Sequence, residues 1–159
     1  MELYWVDDRL AVGPRPEPGA GLGAALDTAV EQGVEILVSC LMPDEERALG
    51  LADEERLAKD RVLVFERLPI TDIQAPADTA GFDVVIARLV VARAAGRRVA
   101  IHCKMGMGRA PLTAASVLVA EGRSPADAWA LVRERRGHQV PDNASQEAFV
   151  SDFATRQRR

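Results

Sequence analysis

A histidine, a cysteine and an arginine within one short stretch give this sequence its clearest capacity for chemistry. The stretch reads His102-Cys103-Lys104-Met105-Gly106-Met107-Gly108-Arg109, so five residues separate the cysteine from the arginine. A thiol is a weak nucleophile until it ionises, and a neighbouring cation favours the thiolate. The planar fork of a guanidinium can also hold two oxygens of a phosphate group. The spacing therefore predicts a thiolate nucleophile at Cys103 beside a phosphate-binding Arg109.

The two glycines of the stretch indicate a backbone that curls tightly around an anion. Gly106 and Gly108 allow successive N–H groups to point inward, which creates a nest for phosphate oxygens. The helix expected after the arginine adds the positive end of its dipole, and Pro111 suits the first turn of that helix. Met105 and Met107 are expected to shape the rim. The residues predicted to bind substrate are Lys104, Met105, Gly106, Met107 and Gly108.

Short apolar runs alternate with helical patterns and predict the elements that would position this loop. The expected strands are Leu3–Val6, Leu10–Val12, Ile36–Val38, Val62–Phe65 and Val99–Ile101. Helical patterns are expected from Leu22 to Gly33, over the charged stretch Asp44–Asp60, from Phe82 to Gly96, over Leu112–Glu121, after Ser124, and through Phe149 and Phe153. This order predicts an α/β fold with a single central, mostly parallel sheet of about five strands and helices on both faces. Ligands bind such sheets beyond the carboxyl ends of the strands, and Cys103 follows a predicted strand at that edge.

Length and composition fit one ordinary globular domain. The chain has 159 residues, of which 48% are apolar and 28% charged, so we expect a single catalytic domain over residues 1–159. The formal net charge of −4 argues against broad binding to nucleic acid or anionic membranes. No signal peptide or membrane-spanning stretch is visible, and the two cysteines, Cys40 and Cys103, are typical of a cytoplasmic protein. We expect a cytoplasmic monomer without a membrane span.

The loop from His102 to Arg109 resembles the signature of the protein tyrosine phosphatase superfamily, and the chain is similar to its small dual-specificity branch. The likeness extends from about Leu22 to Phe153 and is greatest to kinase-associated, cyclin-dependent-kinase-inhibitor-type phosphatases and their bacterial relatives. The resemblance implies the cysteine phosphatase fold and a cysteinyl-phosphate intermediate. It also implies phosphorylated proteins or small phosphomonoesters as substrates, with phosphotyrosine, phosphoserine or phosphothreonine on the protein, and no cofactor or metal.

Cleavage of a phosphate ester needs a proton donor for the departing oxygen. Asp72 follows the predicted strand that begins at Val62, and the resemblance implies that it is the general acid and then the base that activates water. A plain turn aspartate is the alternative, because Thr71 precedes it and Pro76 follows nearby. Asp78 and Asp83 are rival carboxylates, although Asp78 is better suited to cap the helix that contains Phe82.

Three further side chains are expected to support the site. His102 is predicted to hold the loop by hydrogen bonding, without acting as a general base. Cys40 ends a strand next to that of Cys103, and the resemblance implies a partner cysteine that traps the nucleophile as a disulfide. An accessible thiolate oxidises readily and a neighbouring thiol rescues it; the alternative is a buried strand cysteine. Gln146 matches a glutamine that positions water in some relatives, or it belongs to the first turn of the last helix.

Two loop positions leave the substrate and the second step open. Ala110 stands where family members usually carry serine or threonine, whose hydroxyl assists the departing thiolate, so the intermediate could persist. Lys104 could add positive potential at the pocket mouth, as in phosphoinositide-acting relatives, or be a solvated surface residue. The alternatives are therefore a phosphatase for phosphoinositides or nucleotide 5′-phosphates and a phosphate-binding pseudophosphatase. A rhodanese-type sulfurtransferase is a third, although it has no use for an acid such as Asp72.

Overall fold

Five strands form one sheet in the structure, a computed structural model that describes the whole chain, residues 1–159. The strands are β1 (Tyr4–Asp7), β2 (Leu10–Gly13), β3 (Ile36–Ser39), β4 (Val64–Arg67) and β5 (Val99–His102). Their order across the sheet is β1-β2-β5-β3-β4, with β1 antiparallel to β2 and all other neighbours parallel. The predicted α/β class with a mostly parallel central sheet is confirmed.

Seven helices cover the two faces of this sheet. They are α1 (Leu22–Glu31), α2 (Pro43–Ala48), α3 (Glu54–Asp60), α4 (Thr79–Ala94), α5 (Arg109–Ala120), α6 (Pro125–Arg136) and α7 (Ala144–Gln157), with a short 3₁₀ turn at Gly19–Gly21. None of these helices combines the length and hydropathy needed to cross a lipid bilayer.

Two apolar cores lie on opposite faces of the sheet. Along β5, Val99 and Ile101 belong to the larger core with α4, α5, α6 and α7, whereas Ala100 belongs to the smaller core with α1 and α3. This alternation follows from the two-residue period of a strand. Phe82 of α4 packs edge-on against Phe149 of α7 with ring centroids 5.0 Å apart. The sheet is thus held on both sides, and the carboxyl end of β5 is fixed where the predicted loop begins.

Two stretches differ in detail from the sequence prediction. The charged segment 44–60 forms two helices rather than one, because Gly50 adopts a left-handed φ of 73° that ends α2. The predicted strand from Val62 begins later, at Val64. Val62 has a φ of 62° and is 89% exposed, so it belongs to the turn after α3 and cannot continue an extended strand.

The helix starts follow the predicted capping chemistry. The Asp78 carboxylate accepts a hydrogen bond from the Gly81 N–H at 2.9 Å and caps α4. The Ser124 hydroxyl accepts from the Asp127 N–H at 3.1 Å, with Pro125 at the first position of α6. Because these side chains satisfy N–H groups that lack partners within a helix, they fix where each helix begins.

Candidate active site

A small pocket of about 120 Å³ opens beside the loop that follows β5. This is well below the roughly 300 Å³ or more of a site for a drug-sized ligand, so the pocket suits a compact group such as a phosphate. The residues that line it are Asp72, Ile73, Cys103, Met105, Met107, Gly108, Arg109 and Asp142. Three residues predicted for chemistry, Asp72, Cys103 and Arg109, therefore meet in one place.

The loop of residues 103–108, called the cradle loop below, has its carbonyl groups turned away from the pocket. The Arg15 N–H donates to the Lys104 carbonyl at 3.1 Å. The Arg136 guanidinium donates to the Met105 carbonyl at 3.2 Å and to the Gly106 carbonyl at 2.9 Å. In a planar trans peptide the N–H points opposite to the C=O. Binding three successive carbonyls from outside therefore turns three N–H groups inward, where they can receive an anion.

Cys103 lies at the base of this ring of N–H groups and is only 3% exposed. The Gly106 N–H donates to its Sγ at 3.2 Å. Gly108 precedes the first residue of α5, so the positive end of that helix also faces the sulfur. The sulfur therefore faces a backbone N–H group and the positive end of a helix dipole.

The two glycines of the cradle loop are required for different reasons. Gly106 has a left-handed φ of 70°, and a Cβ there would lie 2.6 Å from the backbone of Gly13. Gly108 has an ordinary negative φ of −121°. A Cβ at that position would instead collide with the carboxylate of Asp142. Gly106 is therefore required by its backbone conformation and by the nearby Gly13 backbone, whereas a side chain at position 108 would have to displace the Asp142 carboxylate.

Arg109 is 1% exposed and is held by a carboxylate that the sequence analysis did not identify. Its Nη1 donates to Glu45 Oε2 at 2.7 Å and its Nη2 donates to Glu45 Oε1 at 3.0 Å. Nη1 also donates to the Ile70 carbonyl at 2.9 Å, and Nη2 lies 3.0 Å from Asp72 Oδ1. These contacts fix the plane of the guanidinium and leave its Nε side for a ligand.

The charges around Arg109 shift the pKa values of the pair. Burial alone would lower the pKa of Arg109, but its hydrogen bonds to Glu45 and the negative charges of Cys103 and Asp72 raise it above the usual value. Burial alone would raise the pKa of Glu45, but the hydrogen bonds from Arg109 and from the Met42 N–H lower it. Both groups are therefore charged at neutral pH, and Glu45 acts as a fixed counterion.

Asp72 reaches into the pocket from an exposed loop, residues 71–74, called the acid loop below. Its side chain is 52% exposed, and its Oδ1 faces Arg109 and accepts the Ile73 N–H at 3.0 Å. Ile73 has a left-handed φ of 56° and is 63% exposed. A β-branched residue rarely adopts this conformation, so other contacts must hold the acid loop in place.

Two side-chain amides near the start of α7 supply those contacts. The Asn143 Nδ2 donates to the Ile73 carbonyl at 2.7 Å, and the Gln146 Nε2 donates to the Gln74 carbonyl at 3.1 Å. Gln146 is fully buried, and its Oε1 accepts the Asp142 N–H at 3.0 Å. The predicted Gln146 thus lies outside the pocket lining and connects the acid loop to Asp142.

The rival carboxylates Asp78 and Asp83 have other partners. Asp78 caps α4, as described above. Asp83 forms an ion pair with Arg156 on α7 at 3.0 Å. Neither side chain lines the pocket, so Asp72 is the one of the three candidate acids that meets Cys103 there.

His102 lies behind the cradle loop and is completely buried. Its Nδ1 is 3.2 Å from the Cys103 carbonyl oxygen, and its Nε2 is 2.6 Å from Glu54 Oε1. Burial alone would lower the pKa of His102, but the Glu54 carboxylate and its hydrogen bond raise it above the usual value. This buried pair joins the end of β5 to the first turn of α3 and anchors the loop from below.

Cys40 also lies behind the loop, at the carboxyl end of β3. It is fully buried, its Sγ is 3.6 Å from the Thr113 hydroxyl, and it forms no disulfide. Burial and the neighbouring charge of Cys103 raise the pKa of Cys40 to about 12. Its thiol is therefore protonated at neutral pH, and a disulfide with Cys103 stays a prediction.

Of the remaining residues of the cradle loop, two line the rim of the pocket and one lies on the surface outside it. Met105 is 64% exposed and lines the pocket together with the half-buried Met107. Lys104 is exposed and is not part of the lining, although its charge helps to lower the pKa of Glu45. The rim beside the thiol is thus largely apolar, with Lys104 placed outside it.

Sequence reasoning missed the residues that support or face the site from other parts of the chain: Glu45, Glu54, Ile73, Arg136 and Asp142. Two of them carried a usable signal. Glu45 lies in the first turn of the helix after β3, at the same sheet edge as Cys103. Asp142 comes just before the Asn143 cap of α7. The contact partners of Arg136 and Glu54 depend on tertiary packing, for which the sequence gives no local sign.

Comparison with known proteins assigns the family. The profile of the family described as "Tc-R-P: Polymorphic toxin system, DSP-PTPase phosphatase" matches residues 21–123. Human protein tyrosine phosphatase type IVA 3 is 29% identical over 107 residues, which cover 67% of this chain and 60% of that protein. The chain thus aligns with about 60% of the length of this curated relative.

Solved structures show the same fold at low sequence identity. Kinase-associated phosphatase, with its catalytic-site cysteine replaced by serine, superposes with a TM-score of 0.88 at 18% identity, covering 99% of this chain and 96% of that one. PTPMT1 gives 0.82 at 21% identity, covering 99% and 96%. The human tyrosine phosphatase-like serine/threonine/tyrosine-interacting protein gives 0.79 at 18% identity, covering 99% and 98%. At these identities the likeness concerns the fold alone.

Proposed function

The chain belongs to the DSP-PTPase phosphatase family of polymorphic toxin systems, within the small dual-specificity branch of the protein tyrosine phosphatase superfamily, and we propose that it hydrolyses phosphomonoesters through a cysteinyl-phosphate. The observation that carries this proposal is the single pocket shared by Cys103, Arg109 and Asp72. A nucleophile, an anion-binding group and a proton donor within one small cavity are the three parts that phosphoryl transfer to a thiolate needs.

In the first step the Cys103 thiolate attacks phosphorus, and the bond between phosphorus and the leaving oxygen breaks. Asp72 donates a proton to that oxygen as it departs. The inward N–H groups of the cradle loop and the guanidinium of Arg109 hold the three non-bridging oxygens and stabilise the charge that spreads over them. Glu45 keeps the guanidinium plane fixed, at 2.7 and 3.0 Å from its two nitrogens.

In the second step water attacks the phosphorus of the cysteinyl-phosphate. Asp72, now ionised, accepts a proton from that water, the S–P bond breaks and the electron pair returns to Cys103 as a thiolate. Ala110 is fully buried at the start of α5 and offers no hydroxyl to the departing sulfur. We therefore expect hydrolysis of the intermediate to limit the steady-state rate.

Replacing Ala110 by serine tests that expectation. A hydroxyl that hydrogen-bonds to the departing thiolate contributes about 1 kcal/mol or more, so A110S should raise the steady-state rate roughly fivefold to tenfold without changing the rate of the first step. Rapid-quench kinetics with p-nitrophenyl phosphate separate the two rates. A fall in both rates, or no change in the steady state, contradicts a rate-limiting second step.

Phosphotyrosine on proteins is the substrate that the pocket rim favours. The exposed Met105 and Ile73 flank the opening, and apolar side chains suit the aromatic ring of a tyrosyl leaving group. The two carboxylates in the lining, Asp72 and Asp142, disfavour a headgroup that carries several phosphates.

A phosphoinositide is the second candidate, and one observation favours it. PTPMT1, whose fold matches, has a crystal structure in complex with PI(5)P, and Lys104 of this chain is an exposed cation next to the nucleophile. Turnover on phosphotyrosyl, phosphoseryl and phosphothreonyl peptides should be compared with turnover on phosphoinositides, with K104A as the variant that selectively weakens a lipid substrate.

The proposed activity is tested first with p-nitrophenyl phosphate. We expect wild-type protein to hydrolyse it and Cys103→Ser to be inactive while still binding a phosphate analogue such as vanadate or tungstate. Cys40→Ser is the matched control, because the second cysteine lies behind the loop and should leave turnover intact. Full activity of Cys103→Ser contradicts the proposal.

A further inference from the structure

A second carboxylate, that of Asp142, faces the pocket and has no role in the mechanism above. It lines the cavity together with Cys103, Arg109 and Asp72. Asp142 forms its hydrogen bond through its backbone N–H, which donates to Gln146 Oε1 at 3.0 Å. Its carboxylate oxygens are therefore free to accept hydrogen bonds from a molecule in the pocket. A carboxylate beside a bound phosphate weakens phosphate binding through like-charge repulsion. A role in the reaction would explain why a carboxylate lies there.

The carboxylate lies directly against the phosphate-binding loop. A Cβ on Gly108 would collide with Asp142 Oδ2, although the φ of Gly108, −121°, is not in the left-handed region that favours glycine. Gly108 is the residue just before α5, whose N-terminus faces the phosphate position. Asp142 is thus within reach of whatever approaches a phosphoryl group held on Cys103.

A buried amide fixes Asp142 relative to Asp72. Gln146 is 0% exposed and bonds the Asp142 N–H on one side and the Gln74 carbonyl on the other. Asn143 adds a second link, to the Ile73 carbonyl. The two carboxylates are therefore carried on segments that are tied to one another, and each faces the same cavity.

The carboxylates of Asp72 and Asp142 also influence each other electrostatically. Burial raises the pKa of Asp142, the negative charge of Asp72 raises it further, and Arg109 lowers it. Both carboxylates also line the same small cavity, which places them where one small molecule can contact both. Water is the molecule that the second step of the proposed reaction requires at this place.

We propose that Asp142 holds the water that hydrolyses the cysteinyl-phosphate, with Asp72 on the other hydrogen of the same water molecule. This inference rests on the proposed function and deepens it. The water oxygen forms a bond to phosphorus, one proton passes to Asp72, the S–P bond breaks, and its electron pair returns to Cys103. Asp142 accepts a hydrogen bond from the remaining O–H throughout, which points the oxygen lone pair at phosphorus. Ala110 offers no hydroxyl to the departing thiolate. The rate of the second step therefore depends more strongly on how the water is oriented.

The variant Asp142→Asn tests this role, since it keeps the size of the side chain and the backbone link to Gln146. With p-nitrophenyl phosphate in rapid-quench kinetics, the burst of p-nitrophenolate should keep its wild-type rate, and its amplitude should rise towards one per active site. The steady-state rate should fall by about 10- to 100-fold, at or below the lower limit for a group that transfers the proton, because Asp142 only accepts a hydrogen bond from the water. The phosphoenzyme should accumulate and decay more slowly in a chase. Asp152→Asn, on the exposed face of α7, is the matched control and should behave as wild type.

Three other outcomes overturn the inference. An unchanged steady-state rate means that Asp142 does not act on the water. An equal loss in burst and steady state places Asp142 in the first step or in the structure of the pocket, and a thermal melt of the variant identifies the structural case. A gain in the steady-state rate shows that repulsion of the phosphate was its main effect. If wild-type protein forms no phosphoenzyme, the proposed function itself fails. This outcome differs from a failure of the Asp142 role alone, because the control variant Asp152→Asn then also forms no phosphoenzyme.

Discussion

The two sides of the pocket are built in opposite ways. The cradle loop directs backbone N–H groups toward Cys103 at its buried base, and it is held from outside by Arg15 and Arg136 and from below by His102. The carboxylate side presents Asp72 and Asp142 on exposed segments that are tied together by side-chain amides.

This difference matches the different tasks of the two sides. Stabilising a spread negative charge needs dipoles that are fixed before the substrate arrives, because their reorganisation would cost free energy during the reaction. Transferring protons needs groups that exchange with solvent and lie within hydrogen-bond reach of the leaving oxygen. The structure therefore pairs a rigid anion-binding side with a solvent-exposed carboxylate side.

The largest expected effect comes from breaking the rigid side at Arg109. Arg109→Lys keeps the positive charge but loses the planar fork that both Glu45 and a phosphate require. We expect kcat/KM for p-nitrophenyl phosphate to fall by about 10³-fold or more, since several oxyanion contacts are lost together. Arg135→Lys, exposed on α6, is the control, and a loss of less than tenfold at Arg109 contradicts a preformed cradle.

Removing the acid on the carboxylate side should give an effect that depends on the substrate. Asp72→Asn should lower kcat by about 10²–10³-fold for a phosphopeptide, whose leaving oxygen must be protonated. The loss should be small for p-nitrophenyl phosphate in the first step, because that leaving group departs without a proton. A series of aryl phosphates of graded leaving-group basicity measures this difference, and equal losses across the series remove Asp72 as the acid.

A smaller effect is expected from changing Glu45, the carboxylate that holds the Arg109 guanidinium. Glu45→Gln keeps one hydrogen bond to Arg109 but removes the counterion, and a hydrogen bond to a charged group is worth about 1.5–3 kcal/mol. Glu45 is partly exposed, so the lower end applies and kcat/KM should fall about tenfold. Asp44→Asn, exposed in the same helical turn, is the comparison, and equal effects of the two substitutions argue against a specific role for Glu45.

The smallest expected effect concerns the pH dependence of the buried pair below the cradle loop. The pKa of His102 is raised in the folded state by Glu54, so the stability that this pair adds is fully present below the ordinary histidine pKa of about 6.5. It is lost as pH rises through the raised value, by at most about 1.4 kcal/mol per pH unit. Urea unfolding between about pH 6 and pH 9 should show this decline in wild-type protein.

Glu54→Gln should flatten that decline, because His102 then loses the charge that raises its pKa. Glu134→Gln, exposed on α6, should keep the wild-type dependence. A decline of equal size in Glu54→Gln means that another group titrates in this range and that the buried pair does not stabilise the loop.

The rigid side is also the side that the sequence predicts well. Its chemistry is local, since Cys103, the two glycines and Arg109 lie within one segment between a strand and a helix. Periodicity alone predicts the parallel sheet that places this segment at a ligand-binding edge. The strand and helix ends differ by few residues, mainly where Gly50 and Val62 adopt left-handed backbone conformations.

The carboxylate side depends on contacts between distant parts of the chain. The acid loop is fixed by Asn143 and Gln146, from a helix start far along the sequence, and Glu45 reaches Arg109 from the first turn of α2. No period or spacing within the sequence reports such contacts. Asp72 is predicted through family resemblance, whereas the position of Asp142 before the α7 cap hints at a helix start and only the fold places it against Gly108.

The most direct test of the proposed activity is to find the phosphoryl group on the enzyme during turnover. Protein mixed with p-nitrophenyl phosphate is quenched by denaturation within the burst and digested, and the peptide that contains Cys103 is analysed by mass spectrometry. We expect one phosphoryl group on Cys103 in wild-type protein, more of it in Asp142→Asn, and none in Cys103→Ser. A phosphoryl group on another residue, or steady hydrolysis by Cys103→Ser, contradicts a mechanism in which this cysteine is the nucleophile.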